Sequence, residues 1–393
     1  MNRASSAVLW CFLFGNFVIG FGVLMVPGGL NDISHDLQVS IAQAGGLITA
    51  GAVLMCLSAP IFATVLAKHD RRKLLSWVML WYAAAHALCV LVPGFSEILW
   101  IRVAAMVAPA IFTPQAAACI GQLASPEKRG KAITFVFLGW SVASVVGMPI
   151  AAWMSEVYGW RSVFILHAVL SAISAAWVWQ VLPRGLVPPV MSLSAWRQTF
   201  GSKPLMFTVM VTVISASGQF VLTAYFAPYF KHALNASPAD LSLLFGWFGA
   251  CGLLGNVLVS RQIDRIGAAK AVNVCLLLMS TSLMFWSFGT NVWLALLVLT
   301  PWGLGMFATN SSQQARLIQI APALASGLAA LNTSAIYLGQ AIGAAGGGWL
   351  IEHDGMMELH WFGGVGVLLA LLMSLLAARA TRRASKKSLP DKT

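Results

Sequence analysis

Three side chains within the long apolar stretches of this sequence can carry a charge or exchange a proton: Arg102, His86 and His167. A charge is costly to bury in an apolar environment and persists mainly where it has a function. Imidazole titrates between pH 5 and 8, so the histidines are candidates for proton binding. The alternatives are packed, hydrogen-bonded histidines and an arginine that reaches toward the nearest polar surface. No Asp or Glu lies deep in these stretches; Asp32, at or beyond the end of the first, is the fourth candidate.

Uncharged polar side chains recur at helical spacing in two later stretches. The two stripes are Ser215, Gln219 and Thr223, and Thr333, Tyr337 and Gln340. Each stripe falls on one face of a helix, and polar groups facing lipid are costly, so we expect both to face a cavity. The other candidates for its lining are Asn16, Gln115, Tyr225, Asn310 and Asn332. A cavity of amides without fixed charge suits neutral or weakly amphiphilic molecules; the alternative role is hydrogen bonding between helices.

The elements that must position these residues are membrane spans. Apolar residues form 59% of the chain and charged residues 9%, whereas a soluble protein is about 25% charged. Twelve segments approach the ~20 residues that crossing a bilayer requires, and helices bond their backbone amides within each segment. The predicted spans 1 to 12 are 7–30, 40–67, 74–92, 98–121, 133–155, 160–182, 205–230, 240–262, 269–289, 291–315, 325–351 and 359–379.

The cations fall almost entirely on one side of these spans. With the amino terminus inside, every Lys and Arg except Arg102, Arg161 and Lys231 lies on that side. Such a bias marks the cytoplasmic face, so we expect both termini in the cytoplasm. It also explains the net charge of +12, because no basic run is interleaved with aromatic residues in a soluble module. Anionic lipid headgroups are the expected partner, and nucleic acid is not.

Two parts of the chain repeat at about half its length. Trp153, Glu156 and Gly159 recur at one offset as Trp349, Glu352 and Gly355. A duplicated apolar chain predicts two helix bundles that face one another, which is the architecture of a transporter. The expected organisation is an N-terminal bundle at 1–182, a cytoplasmic connector at 183–204 with a short helix around Trp196, a C-terminal bundle at 205–380 and a disordered tail at 381–393.

Charged loops follow predicted spans 2 and 8. The second-half loop contains Ser260, Asp264, Arg265, Gly267 and Lys270, and the first-half loop contains Asp70, Arg71 and Arg72. With twelve spans in two halves, the chain resembles the major facilitator superfamily over nearly its whole length. The first-half loop departs from that pattern, because Ala67 stands where the acidic residue is expected and Asp70 where glycine is. Gly139, Gly147 and Pro149 in span 5 are similar to the signature of the drug/proton antiporter branch of arabinose-efflux, nucleoside-efflux and chloramphenicol-resistance type.

The loop residues are candidates for gating. A charge pair at a helix end can hold one face closed and separate when it opens; the alternative is a loop that only fixes orientation. The expected gating residues are Asp70, Arg71, Arg72, Asp264, Arg265, Gly267, Gly139, Gly147 and Pro149. The three in span 5 permit close helix approach and a kink. The resemblance also matches Arg102 to the superfamily's arginine of span 4. The carboxylate that many drug/proton antiporters carry in span 1 is missing, and Asn16 is the polar residue there.

These features predict a multi-pass secondary transporter of the bacterial inner membrane. By resemblance, it exports sugars, nucleosides or drug-like molecules by alternating access in exchange for protons. The alternative is an uptake permease or uncoupled facilitator of the same fold. We expect a monomer. We also expect no enzymatic activity, cofactor or metal, because the sequence has no phosphate loop, nucleophile motif or paired Cys and His spacing.

Overall fold

The computed structural model describes residues 6–66, 68–125, 129–187, 193–321 and 324–387, and among these not the side chains at 59, 60, 63, 64, 129–131, 193–196, 264, 325–327 and 381–387. Every regular element in the described residues is helical, so the predicted all-α class is confirmed. Spans 1 to 12 are Ser6–Gly28, Ile41–Val65, Arg71–Leu91, Phe95–Leu123, 129–158, Trp160–Val181, Lys203–Thr223, Pro238–Ile266, Ala268–Met284, Val292–Ile320, Ala325–Glu352 and Leu359–Lys387.

Within the described ranges, ten helices are long and apolar enough to cross a membrane. Ala268–Met284 is a shorter apolar helix, and with Ala325–Glu352 it completes the twelve predicted spans. Short helices between the spans include Leu30–Asp36 after span 1, Leu193–Gly201 in the connector and Phe226–Leu234 after span 7. The second of these lies where a connector helix was predicted.

Two spans are interrupted near their middle. Span 4 consists of the helices Phe95–Ala105 and Val107–Leu123, which meet at Met106. Span 5 widens into a π-helical turn at Ala143–Gly147, directly before Pro149. Proline removes a backbone donor and π-turns bend a helix, so the predicted kink in span 5 has a local cause.

Spans 1–6, called the N half below, and spans 7–12, called the C half, each form their own packing. Span 1 packs against spans 5 and 6, and span 3 against span 6. In the C half, span 7 packs against spans 11 and 12, and span 10 against spans 8 and 9. The two halves meet where span 2 packs along span 11, and where the later part of span 5 packs against span 8.

The contact between spans 5 and 8 is close over only part of its length. We call the face that carries Asp70 and Gly267 the basic face, and the other the opposite face. A methyl group on Gly249 of span 8 would lie 2.6 Å from the Ser144 carbonyl oxygen of span 5. Only a residue without a side chain permits this approach. The helix Arg129–Val142, which forms the basic-face part of span 5, barely touches span 8. Spans 5 and 8 therefore pack from the opposite face to the middle and diverge toward the basic face, whereas spans 2 and 11 pack along each other.

Candidate functional site

Three of the four proton-binding candidates form one buried cluster. Arg102 of span 4 donates from Nη1 to His86 Nε2 of span 3 at 2.6 Å, and from Nη2 to the Gly22 carbonyl of span 1. His167 of span 6 lies beside them, with 4.1 Å between the two imidazole centres. Arg102 is 2% exposed and both histidines are fully buried. The structure thus brings together three residues that lie 81 positions apart at most along the chain.

The hydrogen bonds define which imidazole nitrogens carry protons. His86 Nδ1 lies 2.8 Å from the Tyr82 carbonyl oxygen, which can only accept, so Nδ1 carries the hydrogen and Nε2 is free to accept from Arg102. His167 Nε2 lies 3.1 Å from the Val18 carbonyl oxygen and carries a hydrogen by the same reasoning. His167 Nδ1 then carries a lone pair, and this buried nitrogen has no hydrogen-bond partner among the described residues.

Tyr82 and Gly22 complete this cluster. The Tyr82 ring meets both imidazoles edge-on, with centroid distances of 4.5 Å to His86 and 4.6 Å to His167. The Tyr82 hydroxyl lies beside the Arg102 guanidinium. A methyl group on Gly22 would overlap this hydroxyl and His167 Nε2, so glycine is required for the cluster to close.

A second polar group lies deeper in the N half. Asn16, fully buried in span 1, donates from Nδ2 to the Phe12 carbonyl at 3.0 Å and accepts from Thr113 Oγ1 of span 4 at 2.8 Å. Trp140 of span 5 extends toward the same hydroxyl, at 3.4 Å from Nε1. Thr113 and Trp140 are both partly exposed. They form a polar and aromatic surface where the halves diverge.

The C half contains a longer chain of hydrogen bonds nearer the basic face. Thr212 of span 7 donates to Asn332 Oδ1 of span 11 at 2.7 Å, and Asn332 donates to Gln314 Oε1 of span 10 at 3.2 Å. Gln313, fully buried, donates to the Thr208 carbonyl at 2.7 Å. Gln314 is partly exposed, whereas Thr212 and Asn332 are buried.

Arg316 extends this chain into the core of the C half. Its guanidinium donates to the Ser374 hydroxyl at 2.9 Å and to the Ser374 carbonyl at 3.1 Å, and Ser374 in turn donates to Asn273. Arg316 is 3% exposed. Arg316 thus lies within span 10, one turn from its basic-face end, and its bonding partners are neutral groups of spans 10 and 12.

The remaining substrate-binding candidates occupy different surroundings. Gln219 and Thr223 are buried and bond to carbonyls of their own helix. Tyr225 is 1% exposed, donates to the Ala344 carbonyl at 2.7 Å and is wedged between the halves at the opposite face. Tyr337 packs into the apolar core of the N half, in the cluster that contains Tyr82. Gln340 is buried, and Asn310 is partly exposed.

Gln115 is held by the first-half loop. Arg71 donates from Nε to Gln115 Oε1 at 2.8 Å and from Nη1 to the Leu66 and His69 carbonyls. Asp70 caps span 3 by accepting from the amides of Arg72 and Lys73, and its other oxygen accepts from the Gly185 amide at 2.6 Å. Partial burial acts to raise the pKa of Asp70, but these amide hydrogen bonds hold it below its usual value.

Further contacts of this loop are with span 6 and with the start of the connector. Arg72 lies over the Trp179 ring at 4.8 Å, and the Arg71 amide donates to the Leu186 carbonyl. In the second-half loop, the Asp264 side chain lies outside the described residues, and Arg265 is exposed. Gly267 has a φ of +84° between spans 8 and 9, a left-handed conformation that favours glycine. The gating roles of these residues stay predictions.

The span 5 residues lie at contacts with other spans. A methyl group on Gly139 would overlap the backbone of span 1, and Gly147 faces Phe21 at a distance that leaves no room for one. The Pro149 carbonyl accepts from Ser242 of span 8 at 3.3 Å, across the interface between the halves. This segment is therefore placed where a change in its bend would move the halves relative to one another.

Asp32 lies on a separate short helix and is not part of the Arg102 cluster. Its helix, Leu30–Asp36, packs against spans 1 and 2 and the helix after span 7 at the opposite face. Burial and the Glu156 carboxylate raise the pKa of Asp32 to about 6. Hydrogen bonds from Arg161 and Trp160 lower the pKa of the neighbouring Asp36. Among the described residues, no group of three His, Cys, Asp or Glu side chains is arranged to hold a metal ion.

Sequence reasoning missed several members of these sites. Tyr82 precedes His86 by four residues and thus shares its helix face, a signal that was present in the sequence. Gly22, Thr113 and the pairing of Gln115 with Arg71 depend on contacts between helices, for which one sequence offers no signal.

An all-helical protein of twelve spans, arranged as two halves of six that pack against each other, has the architecture of a membrane transporter. The sequence model described as Major Facilitator Superfamily matches residues 12–226 and 208–393. The chain therefore belongs to the major facilitator superfamily, and the resemblance inferred from its loops is confirmed. It is a multi-pass membrane protein of a transporter family, rather than of an enzyme family.

Relatives of known name are similar over most of the chain. The inner membrane transport protein YdhP of Escherichia coli is 26% identical over 94% of this chain and 96% of its own length. A probable sugar efflux transporter of Helicobacter pylori is 26% identical, over 87% of this chain and 88% of its own. Among solved structures, a bacterial homologue of the human lysosomal transporter Spinster, in an inward-facing and occupied conformation, superposes with a TM-score of 0.74. It is 16% identical, and the match covers 95% of this chain and 97% of that one.

Proposed function

We propose that this protein exports small neutral or amphiphilic organic molecules across the bacterial inner membrane by alternating access, in exchange for protons. The observation that carries the proposal is the buried cluster of Arg102, His86 and His167, a charged and titratable group inside the membrane. Export of sugar-like molecules is supported by the similarity to a probable sugar efflux transporter. An inner-membrane location is supported by the similarity to YdhP.

The packing of the halves supports alternating access. With the termini and the basic face in the cytoplasm, as the distribution of cations favours, spans 5 and 8 are packed together outside and diverge inside. The bundles 1–182 and 205–380 then rock about the contact between Gly249 and Ser144, with 183–204 as the connector. The kink before Pro149 and the basic loops are the elements that change their contacts during this movement.

The geometry of the cluster gives proton exchange a means of moving Arg102. Nε2 of His86 can either accept from Arg102 or bind a proton, because it has one lone pair. A proton at this nitrogen removes the acceptor and places a second positive charge against the guanidinium in a dry pocket. Arg102 must then leave His86, and its bond to the Gly22 carbonyl of span 1 is strained. Proton binding is thereby linked to the position of span 1.

The substrate would bind where the halves diverge. The partly exposed polar groups there are Thr113, Trp140, Asn310 and Gln314, and Asn16 and Asn332 stand behind them. Amides and an indole without fixed charge suit sugars, nucleosides and amphiphilic drugs rather than dianions. We place the protein as a monomer among lipids, with no need for a cofactor or nucleic acid.

Accumulation in cells tests substrate and direction together. A deletion strain and its complemented parent would be loaded with a panel of labelled sugars, nucleosides and antibiotics, and their internal concentrations compared. Export predicts higher accumulation of at least one compound in the deletion strain. Lower accumulation there would instead show an uptake permease of the same fold.

A further inference from the structure

An ion pair joins the two halves at the opposite face. Lys231, in the helix after span 7, donates from Nζ to both carboxylate oxygens of Glu156 at 2.6 Å each. Glu156 lies near the end of span 5, and its side chain is 9% exposed. Among the described residues, the other ion pair, between Arg161 and Asp36, stays within the N half. The ion pair of Lys231 with Glu156 is therefore a contact that must break if the halves separate at this face.

A third charged group, Asp32, lies next to this pair. Its Oδ2 atom is buried and has no hydrogen-bond partner among the described residues. The charged groups that act on it are Glu156 of span 5, Lys231 of the C half, and His35 and Asp36 of its own helix. Spans 1 and 2, which also pack against this helix, contain no Asp, Glu, Lys, Arg or His. Two carboxylates and one ammonium group thus lie near one another in a half-buried interface, and the ammonium group bonds to Glu156.

The group formed by Asp32, Glu156 and Lys231 has a preferred protonation state. With Asp32 protonated, the remaining Glu156 and Lys231 charges cancel; with Asp32 ionised, one negative charge stays buried without a partner. Burial and Glu156 raise the pKa of Asp32 to about 6, whereas Lys231 acts in the opposite direction. Asp36, which hydrogen-bonds to Arg161 and Trp160 instead, has a lowered pKa.

We propose that Asp32 is a proton-binding site that latches the two halves together at the opposite face. A proton bound there stabilises the closed arrangement, and its loss favours separation of Lys231 from Glu156. The latch rests on the alternating access proposed above, but it requires neither proton exchange at Arg102 nor any particular substrate. In the proposed orientation it senses the pH outside the cytoplasm.

The direction of the pH effect follows from linkage. When the halves separate, Asp32 meets water and its pKa returns toward the ordinary value near 4. Between about pH 4 and 6 the closed state then holds a proton that the open state has lost, so a rise in pH through this window favours opening. For a half-buried group partly screened by solvent, we expect the closed-to-open ratio to change about tenfold.

Distances across the opposite face test the latch in the purified full-length protein. Spin labels would be attached at the exposed positions Glu97, in the first turn of span 4, and Thr290, in the loop between spans 9 and 10. Cys56, the half-exposed one of six free cysteines, would be replaced by Ser. The fraction of the short-distance population is then measured from pH 4.5 to 8, without substrate.

The wild-type protein should shift toward the short distance as the pH falls. Asp32→Asn, which resembles the protonated carboxyl, should stay closed at pH 8 and lose the shift. Asp36→Asn is the matched control on the same helix and should keep it. Glu156→Gln leaves Asp32 as the partner of Lys231, so its shift should move to lower pH; this variant also decides the matter if Asp32→Asn does not fold. A wild-type profile in both Asp32→Asn and Glu156→Gln would overturn the latch.

Discussion

The two halves of the molecule bury polar groups of different kinds at different depths. In the N half, Arg102, His86 and His167 converge on the Gly22 carbonyl in the part of the membrane nearer the opposite face. In the C half, amides and hydroxyls form an extended chain from Thr212 to Asn332 nearer the basic face. In the proposed mechanism the first group changes its charge by binding a proton, whereas the second offers neutral donors and acceptors.

The difference suggests a division of roles between halves that share one fold. A compact titratable cluster is suited to converting proton binding into movement, because its members cannot all be charged in a dry pocket. A chain of amides is suited to binding a neutral molecule. Since the two sites lie in separate halves, coupling between them must pass through the interface, where Tyr337 of span 11 packs into the N-half core. Variants in matched pairs, one in each half, can break or sharpen this comparison.

The largest effect should come from the two buried arginines. Arg102→Ala removes the donors to His86 and Gly22 and should reduce transport driven by a pH gradient by about a hundredfold, since breaking a buried charged contact costs roughly 3 kcal/mol or more. Arg316→Ala removes donors to Ser374 and should lower stability, yet folded protein should still respond to the gradient. The measurement is uptake into proteoliposomes with and without a gradient. Equal loss of the response in both variants would contradict the division of roles.

The second largest effect is expected from a substitution at the contact between the halves, where Gly249 approaches Ser144. Gly249→Ala places a methyl group 2.6 Å from the Ser144 carbonyl oxygen, whereas Gly246→Ala, on the same helix, meets Pro149 at an ordinary 3.4 Å. Overpacking of about 1–3 kcal/mol should make Gly249→Ala favour the arrangement open at the opposite face. The spin-label distance between positions 97 and 290 reports this shift. If Gly246→Ala opens the interface as much as Gly249→Ala does, close backbone approach is not what holds it.

A smaller effect is expected from the amide chain of the C half. Asn332→Ala leaves Thr212 and Gln314 without their shared partner, which should weaken substrate binding about tenfold. The dependence of transport on pH should stay as in the wild type, because no group of the Arg102 cluster is changed. Transport rates measured against substrate concentration at several pH values separate the effect on substrate binding from any effect on pH dependence. Altered pH dependence in this variant would show that the halves do not divide the roles.

The smallest effect concerns the first-half loop. Asp70→Ala removes the cap of span 3 and the bond to the Gly185 amide, which should cost about 1 kcal/mol of stability. Because the pKa of Asp70 is lowered in the folded protein, this contribution is present above about pH 4 and is lost as the pH falls further. Thermal unfolding in detergent at pH 7 and at about pH 2.5 measures it. A difference from wild type that grows toward acid would contradict the assignment.

Span number and helical class could be predicted because length and apolar character are properties of each segment alone. Arg102, His86 and His167 could be proposed for the same reason, since each is conspicuous in an apolar stretch. Their common contact with Gly22 could not, because it depends on how spans 1, 3, 4 and 6 pack. The bonds of Arg316 to Ser374 could not be predicted either, because it lies one turn from the end of span 10, where the sequence alone does not separate a loop from a helix end.

The half-length repeat was also informative only in part. Gly159 has a φ of +79° where span 5 turns into span 6, yet its counterpart Gly355 has a φ of −88°, and Asp354 takes the left-handed conformation instead. Glu156 forms the ion pair with Lys231, whereas its counterpart Glu352 is exposed. Equivalent positions in the two halves have therefore acquired different contacts.

The central claim, that protons act on the N half, is tested most directly by exchanging one buried histidine in each half for glutamine. His86→Gln keeps an acceptor for Arg102 but cannot be protonated; His360→Gln removes a buried histidine of span 12, which contacts Ser287. Substrate transport into proteoliposomes would be compared with and without an imposed pH gradient. The account predicts that His86→Gln loses acceleration by the gradient while His360→Gln retains it. Full acceleration in His86→Gln, or its loss in His360→Gln alone, would contradict the account.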